Sequence, residues 1–301
     1  MDTSVNLRQE QLMDLVDAKS TLSGSGSDEA DAVGFNESKP VETLPVGPIP
    51  KRKRSVFLNT PTASNAKLYS MNGAKRGKVL IFNHETFDQY DRYPARPGTD
   101  KDVERLYHVL PLLGFQKEDI EVYNNKGCTE INRIAVKLEN DVDLEKSDCL
   151  VVVILTRGEE NNMLMARDDQ YSLYKFIENF APTTLKSMAG KPKLFIIQAG
   201  CGKKAEIITY PEFPDLVVIM SSSYGHYSFR NELLGSWFIQ DLCTVIESCD
   251  LETDSMYDIL TETNDAVAKR ISNSDGEYDR KKQIPSFYST LTKKLYFRPS
   301  T

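Results

Sequence analysis

Eight consecutive residues, CLVVVILT at 149 to 156, carry no charge and show no alternation of apolar with polar side chains. A strand of that kind is buried on both faces, so it belongs in the middle of a sheet that is covered on both sides. Further strand segments are expected at VLIFN (79 to 83), IEVY (120 to 123), LFIIQ (194 to 198) and LVVIMSS (216 to 222). Helical spacing fills the gaps. Val103, Leu106, Tyr107 and Leu110 recur on one face after Thr99, a candidate N-cap with Asp102 three residues on, until Pro111 strains the last turn. Ile131, Ile134, Ala135 and Leu138 share a second apolar face, and further helices are expected near 173–180, 236–247 and 256–271. This alternation predicts an α/β fold with a central, mostly parallel sheet of about six strands flanked by helices on both faces. Ligands of such sheets bind beyond the carboxyl ends of the strands, which directs attention to the loops after Thr156, Gln198 and Ser222.

Length leaves the domain count open, because 301 residues can bury one large core or two small ones. The division of the chain comes from composition. Residues 1–60 are rich in Ser, Gly, Asp, Glu and Pro, with too little apolar content to offset their ordering entropy, and are expected to form a disordered leader. Residues 61–301 are expected to form the folded domain. The longest apolar run, 150–155, is far short of the roughly 20 residues that span a bilayer, and MDTSVNLRQEQ has no signal-like region. A cytoplasmic, membrane-free chain is expected. Five cysteines at irregular spacing read as reduced thiols, and no cofactor or metal is expected. A net charge of −7 argues against general nucleic-acid binding, with KRKR at 51 to 54 as a local basic exception.

The phrases GKPKLFIIQA (190 to 199), RPGTD (96 to 100), YSFRN (227 to 231), GSWFIQ (235 to 240) and KKQIP (281 to 285) resemble those of the caspases, cysteine proteases that cut after aspartate. The likeness is nearest to insect effector caspases and runs from Lys78 to about Phe297. It implies a large-subunit region at about 61–205 and a small-subunit region at about 215–301. In that family the strand matching CLVVVILT ends in a His-Gly pair whose histidine is the general base, and the strand matching LFIIQ ends in Gln-Ala-Cys, whose cysteine is the nucleophile. Here the first pair is Arg157-Gly158, and a guanidinium cannot take a proton from a thiol. The second phrase runs Gln198-Ala199-Gly200-Cys201, so Gly200 holds the nucleophile position and Cys201 is displaced by one residue. A one-residue shift turns a side chain away, and covalent catalysis loses around a hundredfold for about 1 Å of misplacement. Gly158 matches the family's oxyanion-hole glycine. His84, His108 and His226 have no sequence argument for replacing the base.

By the same resemblance, the pocket for a substrate aspartate is intact. Arg96, Gln198 and Arg230 are its members, with Tyr227, Phe229 and Trp237 at neighbouring apolar subsites. Converging guanidinium groups suit a carboxylate, although pairing of these arginines with local acids is an equal reading of the same residues. The linker at 202–214 contains no aspartate, so the family's maturation cut has no evident site and the two subunit regions are expected to stay joined. In the leader, Asp28 and Asp31 bracket DEAD, and a cut after Asp31 exposes Ala32, Val33, Gly34 and Phe35. That end resembles tetrapeptides that dock on inhibitor-of-apoptosis proteins by adding a strand to a sheet edge, with Gly34 as a departure. Caspases pair through an edge strand that corresponds to about 281–297. The resulting expectation is a catalytically inactive homologue that pairs with an active apoptotic caspase, or with itself, and promotes rather than inhibits activation. The alternative is a weak Asp-directed cysteine endopeptidase using Cys201.

Overall fold

The computed structural model describes residues 28–30, 62–200, 213–223, 226–274 and 276–298. Cys201, residues 202–212, and Asp31 through Phe35 lie outside the described residues, as does KRKR at 51 to 54. The strands are β1 (Asp28–Ala30), β2 (Lys75–Asn83), β3 (Ile120–Asn124), β4 (Ser147–Leu155), β5 (Met163–Met165), β6 (Gln170–Ser172), β7 (Lys193–Gln198), β8 (Leu216–Met220), β9 (Phe229–Asn231), β10 (Gly235–Ser236) and β11 (Ser286–Ser289). The α-helices are α1 (Thr99–Val109), α2 (Cys128–Lys137), α3 (Leu173–Glu178), α4 (Trp237–Ser248) and α5 (Met256–Lys269).

Six strands form the main sheet in the order β11-β8-β7-β4-β2-β3. All neighbours are parallel except β11, which runs antiparallel to β8. All nine residues of β4 are buried, as its unbroken apolar run requires. Alternate side chains then feed two separate cores. Val151, Val153, Leu194, Ile196, Val217 and Ile219 pack with apolar residues of α1, α4 and α5, while Val152, Ile154, Phe195, Ile197 and Val218 pack with those of α2 and α3. Burying each such side chain stabilises the fold by roughly 1.5–3 kcal/mol, so a charge introduced at Val153 would disrupt one whole layer.

Local signals were mostly followed, with one informative exception. Helix α1 begins at Thr99, but its N-cap is Gly98 in a left-handed conformation, and no side chain caps it. Thr99 instead donates to Asn83 Oδ1 at 2.7 Å, and Asp102 turns away to another element. The N-cap expected at Thr99 is therefore corrected, because tertiary partners outcompete the local box. Proline 111 does not end the helical path abruptly; it sits at the start of a 3-10 turn, Leu110–Leu113, where its missing N–H costs little.

A second, small sheet lies beside the carboxyl ends of the main strands, in the order β1-β9-β10. Its β1 comes from the leader, where composition gave no reason to expect a strand.

Candidate active site

The register of the main sheet brings the two departures from the family pattern together. Leu155 pairs with Gln198, and the Thr156 N–H donates to the Gln198 carbonyl at 3.0 Å, so Arg157-Gly158 and Ala199-Gly200 leave the sheet side by side. A Cβ built on Gly158 would lie 1.8 Å from the Gly200 carbonyl oxygen, which means that the two backbones touch and only glycine fits. The Arg157 side chain, 4% exposed, turns to the loop before Arg96. Its Nε and Nη2 donate to the Pro94 carbonyl at 3.0 and 2.8 Å, and Nη2 also reaches the Ala95 carbonyl at 3.3 Å. A guanidinium so used is a structural clamp with no lone pair to accept a proton.

Each of the three members of the expected aspartate pocket is fully buried. Arg96 Nη1 donates to the His84 carbonyl at 2.9 Å and to Thr99 Oγ1 at 3.1 Å. Thr99 is in turn held by Asn83 at the end of β2. Gln198, the last residue of β7, donates from Nε2 to Ser228 Oγ at 2.7 Å. Arg230, in β9, donates from Nη1 to the Pro97 carbonyl. These bonds join the ends of β2 and β7, the loop at 96–98 and β9. Gly98 makes the junction possible, since its φ is +86° and a Cβ there would meet the Glu232 and Asn231 carbonyl oxygens at 2.5 and 2.6 Å.

The apolar positions also assemble. Phe229 and Trp237 are buried with ring centroids 4.9 Å apart, and Tyr227 meets Tyr278 edge to face at 5.0 Å. Arg270 lies over Trp237 and makes a bidentate pair with Asp241 at 2.6 and 2.7 Å.

His84 is completely buried, and neither ring nitrogen has a hydrogen-bond partner. Burial, with the Arg96 charge adding to it, pushes its pKa down to about 3. It is therefore a neutral packing residue at ordinary pH. His108 stands in the last turn of α1, and His226 is exposed.

Several residues that hold the site together carry no sequence signal for that role. Ser228 orients Gln198, Asn83 and Thr99 orient Arg96, and Gln283 accepts the Phe229 N–H at 2.7 Å while donating to the Ser221 carbonyl at 2.6 Å. Their short polar side chains are unremarkable in sequence and gain meaning only from burial beside charged neighbours.

Residues 76–296 match the family model described as the caspase domain. The chain belongs to the caspase family. It is 33% identical over 304 residues to Caspase-1 of Spodoptera frugiperda, covering 95% of each chain. It is 32% identical to Caspase-1 of Drosophila melanogaster, over 90% of this chain and 88% of that one, and 32% identical to Caspase-6 of Gallus gallus, over 81% and 88%. The crystal structure of Caspase-1 from Spodoptera frugiperda superposes with a TM-score of 0.74, covering 81% of this chain and 98% of that one. The caspase fold expected from the sequence is thus the fold observed. Among the described residues no helix is long and apolar enough to cross a membrane.

Proposed function

We propose that this caspase-family chain lacks peptidase turnover and acts as a regulator that pairs with an active caspase and promotes its activation. The observation that carries the reading is the pair of facing positions at the ends of β4 and β7. One presents Arg157, a clamp on the Pro94 and Ala95 carbonyls, and the other presents Gly200, which has no side chain. A nucleophile and its base are the minimum for thiol acyl transfer, and neither residue type stands there.

Pairing is supported by the edge of the main sheet. Among the described residues strand β11 is the last strand on its side, and its Phe287 and the preceding Ile284 are 37% and 51% exposed. An apolar, hydrogen-bonding edge is a natural docking line for a second sheet. The range expected from resemblance, 281–297, divides in two: 286–289 forms this edge, while Leu295 and Phe297 fold back into the core. A competent caspase placed against β11 gains stability in its active arrangement by mass action, whatever the state of this chain's own site. A homodimer uses the same edge. Cleavage after Asp31 and docking of Ala32 through Phe35 on an inhibitor-of-apoptosis protein is a second binding role, carried by sequence alone because those residues lie outside the described ones.

The deciding experiment measures hydrolysis of an Asp-Glu-Val-Asp reporter by the purified chain, by Cys201→Ala, and by a mixture of the chain with an active effector caspase of the same organism. The expected outcome is no hydrolysis by the chain alone and a rise above the active caspase's own rate in the mixture. Hydrolysis by the chain alone that disappears with Cys201→Ala establishes the competing reading, a displaced nucleophile in a weak peptidase.

A further inference from the structure

The leader strand β1 runs antiparallel to β9 in a defined register: Asp28 opposite Asn231, Glu29 opposite Arg230, and Ala30 opposite Phe229. On its other side β9 pairs with β10, so β1 occupies the second edge of β9. That edge adjoins the pocket. Arg230 and Phe229 supply both the strand that is paired and the side chains that line the site, and Ser228, next in line, holds Gln198.

An extended peptide recognised by a sheet edge is held by main-chain hydrogen bonds, with alternate side chains read by flanking pockets. The chemistry fitted to this edge, two buried guanidinium groups and a glutamine amide, is that of an acidic, aspartate-containing peptide. The leader supplies such a sequence, since Asp28, Glu29 and Ala30 are followed by Asp31. We propose that residues 28–30 are an in-cis pseudosubstrate, a strand that fills the β9 edge and excludes acidic peptides offered in trans. The inference rests on reading Arg96, Gln198 and Arg230 as a carboxylate pocket.

The tether makes such exclusion effective. About 30 residues lie between Ala30 and the next described residue, Thr62, a length that spans at most on the order of 100 Å when fully extended. An attached segment within that reach competes at an effective concentration that approaches the millimolar range, so even a weak three-residue strand outcompetes a dilute peptide. It also satisfies backbone groups of β9 that would otherwise stand as an open edge. Removal of the strand, by cleavage within the leader or by displacement, opens the groove without any change in the main sheet.

The test keeps the full chain and replaces Glu29 and Ala30 together by proline. Successive residues of a strand point their N–H groups to opposite sides, so the double substitution removes a donor toward β9 whichever parity applies. Binding of a fluorescein-labelled Asp-Glu-Val-Asp amide is followed by anisotropy, and hydrogen exchange is followed at 229–231. The expected result is at least tenfold tighter peptide binding by the variant, with faster exchange at 229–231 and unchanged exchange in α4. Equal peptide affinity for both proteins overturns exclusion, and unchanged exchange at 229–231 overturns the strand itself. Faster exchange with no peptide bound by either protein overturns the carboxylate-pocket reading, and the exclusion that depends on it, while the strand stands. The two failures are thereby distinguished.

Discussion

His84 and Arg157 show how single side chains in this site are tuned for packing. His84 is legible as a histidine near the end of the first core strand; its burial is not, because burial is an outcome of tertiary packing that a single histidine does not encode. Its ring has an ordinary pKa near 6.5 when unfolded and about 3 when folded. The unfolded chain therefore binds a proton that the folded chain refuses, and stability is present in full above pH 6.5 and declines as the pH falls from 6.5 toward 3. Each unit in that window is about 1.4 kcal/mol. His84→Leu removes the titrating group, so its stability relative to the parent should improve by about 2 kcal/mol between pH 7 and pH 5 in urea unfolding. A constant difference across that range would show that His84 is protonated or solvated in the fold. Arg157 is legible in the sequence as an arginine where the family pattern has histidine, whereas its bonds to Pro94 and Ala95 are not, since they join segments about 60 residues apart.

Elements are more legible in the sequence than the contacts between them. The strands followed from unbroken apolar runs, and the helices from spacing, because each of those signals reflects local burial alone. Asp102 illustrates the limit. In sequence it looks like part of a helix cap, yet its carboxylate accepts from the Ser236 N–H at 2.8 Å, from Ser236 Oγ and from Gln240 Nε2 at 3.0 Å, tying α1 to β10 and α4. Full burial raises its pKa to about 6, with these bonds pulling the other way. A raised carboxyl adds stability below its unfolded pKa of about 3.8 and loses it as the pH rises through about 6, opposite in sign to His84. Asp102→Asn keeps an acceptor for Ser236 and removes the buried charge. It should cost less than about 1 kcal/mol at pH 7, and the gap to the parent should widen in the parent's favour as the pH falls from 6 to 4. Asp102→Ala strands the Ser236 and Gln240 donors and should cost about 2–4 kcal/mol at pH 7. Equal losses for the two variants by chemical denaturation would mean that the charge, and not the bond pattern, holds these elements together.

At the scale of the whole molecule, two sheet edges carry the functional argument, and they differ in how they were anticipated. Resemblance marked the β11 edge in advance. The β1–β9 edge was invisible because Asp-Glu-Ala has no strand-like pattern, and pairing there is driven by backbone hydrogen bonds that every sequence can offer. The other main-sheet edge, β3, is flanked by Lys78 bonded to Glu121 and Asp141, a charged border of the kind that discourages edge pairing. Among the described residues strand β11 has no such ion pair across its edge, and Phe287 packs against Tyr257 in a tilted arrangement, at 5.9 Å between ring centroids. A glutamate at Phe287 puts a charge on the docking line while leaving the strand's pairing with β8 intact, since the side chain is partly exposed already. Phe287→Glu should therefore fold with a melting temperature within a few degrees of the parent, yet lose association with an active caspase at least tenfold in sedimentation or pull-down with the purified partner. Retained association in a folded Phe287→Glu chain would move the interface away from β11. It would also separate the two edges in function, because peptide binding at β9 is expected to be the same in this variant as in the parent.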